Sequence, residues 1–144
     1  MNSCVFCKIL TDEIDASFIY RGETCSVFLD IHPMTPGHLL IVPNQHSERF
    51  ADVSPEEAAD MFKLAHSILK AVRKTNLACE GANIFLSDGT AAGQEVPHSH
   101  LHLAPRFHGD GQRVGFVNED PDEISRTKLD EIAQQIAKAL SSSN

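Results

Sequence analysis

Apolar and polar positions alternate with a period of two early in the chain. From Phe18 to Asp30, Cys25, Val27 and Leu29 alternate against Ser26, Phe28 and Asp30, and Gly22 interrupts the run, which predicts two strands joined by a turn. Pro33, Pro36 and Gly37 then punctuate a loop. The run His38-Leu39-Leu40-Ile41-Val42, closed by Pro43, is apolar almost throughout and predicts a buried central strand opened by His38. Next the period lengthens. Ser54 with Glu57 forms a capping box, Pro55 takes the first helical position, and Ala58, Met61, Phe62, Ala65, Ile68, Leu69 and Val72 recur at helical spacing. His66 sits beside this stripe as a structural or surface residue. Ala82-Asn83-Ile84-Phe85-Leu86 predicts a returning strand, and the short loop after it predicts antiparallel pairing with the strand that follows. The polar, glycine-rich His108-Gly109-Asp110-Gly111-Gln112 predicts a mobile loop over residues 108–120. Leu129, Ile132, Ala133, Ile136, Ala137 and Leu140 predict a last helix over Ser125–Leu140, with a frayed tail at 141–144. The expected class is α+β: an antiparallel sheet, one long central helix and a C-terminal helix in a single domain over residues 1–144.

The strand expected after Gly93 changes the picture from architecture to chemistry. Gln94-Glu95-Val96-Pro97-His98-Ser99-His100-Leu101-His102-Leu103-Ala104-Pro105-Arg106 carries three imidazoles at two-residue spacing. On an extended strand all three point to one side, with Ser99, Leu101 and Leu103 on the other and a proline at each end. Imidazole titrates near neutrality and serves as nucleophile, proton carrier or metal ligand. The spacing alone leaves open a catalytic zinc held by His at positions i and i+2, and an adventitious metal-binding cluster.

Composition narrows the partners. Hydrophobic residues make up 42% and charged residues 22% of the 144, which is ordinary for a globular protein. No stretch approaches the roughly 20 apolar residues of a membrane span, and the N-terminus has no basic region followed by an apolar core, so a cytoplasmic location is expected. The formal charge of −8 argues against a protein that coats duplex nucleic acid. The excess acid, including Asp12, Glu13, Asp15, Glu56, Glu57, Asp60 and the run Glu119, Asp120, Asp122 and Glu123, reads as solvated helix ends and loops. Four cysteines suit thiols or metal ligands better than a disulfide framework. Cys25 and Cys79 stand alone as small apolar residues. Cys4 and Cys7 have the Cys-x-x-Cys spacing that lets two thiolates meet on one tetrahedral zinc, although such a site needs two further ligands. Redox use is less supported, because no strand and helix of thioredoxin type frames the pair.

Together, Cys4-Val5-Phe6-Cys7-Lys8-Ile9, Phe28-Leu29-Asp30-Ile31, Pro36-Gly37-His38, Ile41-Val42-Pro43-Asn44-Gln45-His46, Ala92-Gly93-Gln94-Glu95-Val96-Pro97 and the His-x-His-x-His that follows resemble the histidine-triad (HIT) superfamily. The chain is most similar to its bacterial-type Hint-like branch, and the likeness spans nearly the whole sequence. The resemblance implies a homodimer and a two-step nucleotidyl transfer in which His100 attacks the α-phosphorus of a purine nucleotide. It implies that His102 donates to phosphate oxygens and that His38 orients the triad from the neighbouring strand. Ser87, Gly93, Gln94, Glu95 and Val96 then border the nucleotide, with loop amides around Gly93 and Gln94 holding phosphate oxygens. Asp30 matches the family's ribose-binding acid. Val5, Phe6, Ile9 and Ile31 match an apolar slot for the base, and fit a plain core equally well. A structural zinc is implied on Cys4, Cys7, His46 and His98, leaving the chemistry metal-independent.

Two positions depart from the family pattern: Ser87 stands where relatives often carry Asn, and Glu95 where the phosphoramidases often carry Ser. A carboxylate at Glu95 favours a departing amine over a polyphosphate, unless Glu95 points away and Arg106 binds the extra phosphates. The readings in play are a nucleoside 5′-phosphoramidate hydrolase, a dinucleoside polyphosphate hydrolase of the same mechanism, a nucleotide-binding interaction protein with incidental hydrolysis, and a catalytic zinc hydrolase.

Overall fold

In a computed structural model of the chain, residues 3–115 and 124–142 are described. The acidic run Glu119, Asp120, Asp122 and Glu123, the latter part of the expected 108–120 loop and the end of the tail lie outside them. Contacts divide the chain after Arg113 into two compact units, each described by itself.

The first unit is built on a five-stranded antiparallel sheet in the order β1-β2-β3-β5-β4, comprising β1 (Phe18–Arg21), β2 (Cys25–Leu29), β3 (Leu39–Pro43), β4 (Gly81–Leu86) and β5 (Leu101–Arg106). The α+β class expected from the periodicities is the one found. Two helices accompany the sheet, α1 (Val5–Leu10) and α2 (Pro55–Val72). Ser54 caps α2 by accepting from the Glu57 amide while the Glu57 carboxylate accepts from the Ser54 amide, so both halves of the capping box are made.

Strand alternation sorts the core into two layers. Leu39 and Ile41 of β3, Cys25 and Val27 of β2, and Leu101 and Leu103 of β5 pack with Met61, Ala65, Ile68 and Val72 of α2. Their neighbours Leu40, Val42 and Phe28 face the other way and pack with Cys4, Phe6 and Ile9 around α1. Six residues are too few to hold a helix in water alone. Docking Phe6 and Ile9, one turn apart on one face, is what stabilises α1, which the hydrophobic pattern did not predict.

Two features of the histidine segment differ from expectation. β5 begins at Leu101, so His98, at the end of a bend, and His100 both precede the strand and only His102 stands within it. Pro105 lies inside β5 and does not bound it. It is tolerated because β3 pairs with β5 only as far as Leu103, which leaves Pro105 beside no β3 partner, and its carbonyl accepts from the Thr35 hydroxyl. Beyond β5, the segment expected to be a mobile loop begins as a tight turn, with Asp110 bonded to the Arg106 guanidinium and to the Phe107 and Gln112 amides.

The second unit contains α3 (Arg126–Ser141), capped by the Ser125 hydroxyl accepting from the Lys128 amide. The helix was expected from Ser125 to Leu140 and runs one residue further, into the predicted tail.

Candidate active site

β5 carries His102 onto the α1 face of the sheet, opposite Leu40 of β3 and Phe85 of β4. The Phe85 ring stacks flat on the His102 imidazole at 4.4 Å. On the other side His38 Nε2 lies 2.9 Å from His102 Nδ1, and His38 Nδ1 is 2.9 Å from the Met34 amide. An amide can only donate, so His38 Nδ1 accepts and, in the neutral ring, Nε2 carries the proton. His38 therefore donates to His102 Nδ1, which leaves the His102 proton on Nε2. Burial pushes His38 down, against the pull of Asp30, and pushes His102 to about 4, with His100 and His38 adding to the effect. Both rings are neutral at pH 7.

His100 is oriented differently. Its Nδ1 lies 2.7 Å from the His98 carbonyl, an obligate acceptor, so Nδ1 holds the proton and Nε2 keeps a free lone pair. Burial holds this imidazole below its ordinary value, opposed by the bond to His98 and by Asp30 and Glu95. Its ring meets Phe6 edge-on at 5.1 Å and lies 4.8 Å from that of His102.

These rings border a cavity of about 460 Å³. Its apolar lining includes Val5, Phe6, Ile9, Ile14, Leu29 and Ile31, and Ile31 is 84% exposed, unusual for so large an apolar side chain. Phe6 and Ile9 line this cavity and are at the same time core residues. Asp30 lies along the cavity, with Oδ1 accepting from the His32 amide and Oδ2 3.6 Å from His38 Nε2. Ser87, Gly93, Glu95 and Val96 also line it.

Two expected roles are not met. The amides of Gly93 and Gln94 are taken by the Thr90 and Gly89 carbonyls within the turn, and the buried Gln94 side chain bonds the Glu48 and Val96 carbonyls and the Gly89 amide. Gln94 shapes the loop and does not present a group to a ligand. Arg106 is equally committed: its guanidinium donates to Asp110, Asn83 and the Gln112 carbonyl, so it has no fork to offer extra phosphates.

Cys4, Cys7, His46 and His98 converge beside this cavity, with one ligand atom from each within 4.8 Å of the others. His98 Nε2 donates to the Pro43 carbonyl at 2.8 Å, which turns the Nδ1 lone pair toward the thiols. His98 Nδ1 lies 3.5 Å from Cys4 Sγ, 3.6 Å from Cys7 Sγ and 3.3 Å from His46 Nδ1, and His46 Nδ1 lies 3.4 Å from Cys7 Sγ. A tetrahedral zinc with bonds of about 2.3 Å to sulfur and 2.0–2.1 Å to nitrogen has edges of about 3.6 Å between S and N and 3.3 Å between N and N. The donor set fits that ion. Asp30, His38 and His102 also converge, but the Met34 amide keeps a proton on His38 Nε2, so this group is a hydrogen-bonded relay and does not suit a metal. Among the described residues His98, His100 and His102 do not bring their ring nitrogens together as one group of donors, so they do not share one catalytic zinc.

The HIT domain model matches residues 11–109. The chain belongs to the HIT family. An uncharacterized HIT-like protein of Methanocaldococcus jannaschii is 39% identical over 133 residues, covering 92% of this chain and 98% of its own length. The crystal structure of a HIT family protein from Bacillus anthracis superposes with a TM-score of 0.87 at 33% identity, covering 96% of this chain and 97% of that one. A Zn-bound histidine triad family protein from Mycobacterium smegmatis gives 0.74 at 38% identity, covering 95% and 97%. Two relatives carry enzyme names: an adenylylsulfatase of Arabidopsis thaliana (34% over 105 residues, 73% of this chain) and the asymmetrical bis(5′-nucleosyl)-tetraphosphatase of Schizosaccharomyces pombe (32% over 97 residues, 67% of this chain). The match covers 53% of the length of each.

Three members of this HIT site escaped the sequence reading. Phe85 had been placed on the right strand, but its register opposite His102 depends on the turn that precedes the triad. The Met34 amide and the Pro43 carbonyl fix histidine tautomers as backbone groups, so no side-chain pattern announces them.

Proposed function

We propose that this HIT protein is a nucleotide hydrolase or transferase acting at the α-phosphate of nucleoside 5′-phosphoramidates or related purine nucleotide conjugates. The observation that carries the reading is the His100 tautomer: Nδ1–H bonded to the His98 carbonyl presents an unprotonated Nε2 at the cavity. In the proposed step this lone pair attacks the α-phosphorus, the P–N bond breaks, and its electron pair leaves on the amine, which takes up a proton from solvent. Water then attacks the same phosphorus, gives up a proton to solvent, and breaks the P–N bond to His100, returning the lone pair to Nε2. His102 Nε2–H, held outward by the His38 relay, donates to phosphate oxygen as charge builds. Asp30 accepts from ribose hydroxyls, while the base lies in the slot of Val5, Phe6, Ile9 and Ile31. Ser87, Gly93, Glu95 and Val96 border the leaving group. Zinc on Cys4, Cys7, His46 and His98 would close all four positions, so it would tie the start of α1 to the bend before β5 and activate no water. In this reading residues 1–144 work as one domain, cytoplasmic and homodimeric.

The name of the fission yeast relative favours a second reading, hydrolysis of dinucleoside polyphosphates by the same steps. Steady-state hydrolysis of adenosine 5′-phosphoramidate, diadenosine triphosphate and diadenosine tetraphosphate separates the two, with His100→Asn as control. Preference for the phosphoramidate, lost in the variant, is the expected result. Polyphosphate preference promotes the second reading, and turnover that survives His100→Asn refutes both.

A further inference from the structure

The cavity that meets His100 is charged in one sense. Among its described lining residues stand three carboxylates, Asp15, Asp30 and Glu95, and no lysine or arginine. A phosphate site usually supplies at least one such cation, because a guanidinium or ammonium offsets the anion it binds. Arg106, four residues beyond His102, is locked to Asp110 and Asn83. Asp30 accepts from the His32 amide next to His38. Asp15 and Glu95 are both exposed and, among the described residues, take part in no hydrogen bond and no ion pair. They differ in place: Asp15 lies in the segment between α1 and β1, whereas Glu95 lies on the loop bordering His100 and acts electrostatically on that imidazole. The buried Gln94 side chain pins that loop to the Glu48 carbonyl and the Gly89 amide, which holds Glu95 at the cavity.

We propose that Glu95 determines leaving-group specificity by charge, selecting nucleoside monophosphate conjugates whose departing group carries a positive charge and rejecting those whose departing group is anionic. The proposal rests on the functional reading above and narrows it. The ligand class is a 5′-phosphoramidate of a diamine, with one nitrogen bonded to phosphorus and the second free and protonated. Its single phosphate charge faces neutral histidines, while the distal ammonium meets the unpaired carboxylate. A polyphosphate tail would bring several negative charges to the same carboxylate with no cation to receive them.

The test uses three adenosine 5′-phosphoramidates of matched size, made from 1,3-diaminopropane, n-propylamine and β-alanine. Rates are measured as kcat/KM for the wild type, Glu95→Gln and Glu95→Lys, and affinities by calorimetry in a His100→Asn background, where the conjugates persist. One charge pair at roughly 6 Å in partly solvated surroundings changes binding about tenfold. The wild type is therefore expected to favour the cationic over the neutral tail by about tenfold, and the neutral over the anionic by a similar factor. The order should collapse in Glu95→Gln, invert in Glu95→Lys and be compressed by 0.5 M salt. Charge-blind binding, or an order unchanged in both variants, overturns the assignment. His100-dependent turnover without any charge order leaves the hydrolase reading standing and removes this one. A Glu95-dependent order in binding without turnover does the reverse.

Discussion

Acid should weaken this protein through His102, and the size of the effect follows from its burial. The folded ring titrates at about 4, whereas the unfolded ring titrates near 6.5. A base whose folded value is depressed stabilises the fold fully above its unfolded value and loses that contribution as pH falls toward the folded one, because the unfolded chain takes the proton first. At pH 5 the proton-binding ratio of unfolded to folded ring is about 30, which costs about 2 kcal/mol, against roughly 0.2 kcal/mol at pH 7. His102→Asn removes the titration while its side-chain oxygen still accepts from His38 Nε2. Urea unfolding of both proteins, with matched metal content, at pH 7 and pH 5 isolates the effect, since His38, His98 and His100 are present in each. The wild type should lose about 2 kcal/mol more than the variant across that interval. A difference below about 0.5 kcal/mol would show that His102 is not held neutral by its surroundings. The neutrality that the proposed donor role requires would then be unexplained.

Other perturbations probe other parts of the fold. Zinc analysis of the purified protein should return one ion per chain, and chelation or Cys7→Ala should lower Tm by at least about 5 °C, as expected for loss of a ligand worth a few kcal/mol; an unchanged Tm refutes the closed site. Leu103 is completely buried between the sheet and α2, so Leu103→Ala should cost about 3 kcal/mol in urea unfolding. Gly37 has φ +95°, and a Cβ there would stand 2.9 Å from Leu77 Cδ1 and 3.1 Å from Pro105 Cγ. Gly37→Ala should cost about 1 to 3 kcal/mol and, by displacing the adjacent His38, lower kcat more than it raises KM; full stability with unchanged kcat would contradict that coupling.

The sheet and the long helix were legible because their signals are local. Leu39 through Val42 read as buried on both faces, and both faces are covered, one by α2 and the other by α1. Ser54, Pro55 and Glu57 announced the start of α2 to the residue. α1 was not legible, since Val5–Leu10 is shorter than any stable isolated helix and depends on docking Phe6 and Ile9. The two-residue spacing of the triad suggested one straight strand, yet the chain bends over Val96 to His98 before pairing begins at Leu101. Gln94 was misread for a similar reason: its position near the site is clear from sequence, but the three backbone groups its side chain bonds, at Glu48, Val96 and Gly89, are not.

That bend explains how one residue type takes three hydrogen-bond settings within five positions. Each imidazole of the triad has one nitrogen engaged by a fixed partner, and that partner decides what the other nitrogen can do. The Pro43 carbonyl accepts from His98 Nε2 and leaves the Nδ1 lone pair turned toward Cys4 and Cys7. The His98 carbonyl accepts from His100 Nδ1 and leaves Nε2 unprotonated. The Met34 amide, acting through His38, fills His102 Nδ1 and leaves the proton on Nε2. Had all three residues continued as a regular strand, the His98 carbonyl would have pointed along the sheet toward a neighbouring strand, unable to meet a ring two residues on. The irregular backbone at 96–100 is therefore what gives His98 and His100 opposite tautomers. Only past it, where β5 begins, does pairing with β3 and β4 set His102 between His38 and Phe85.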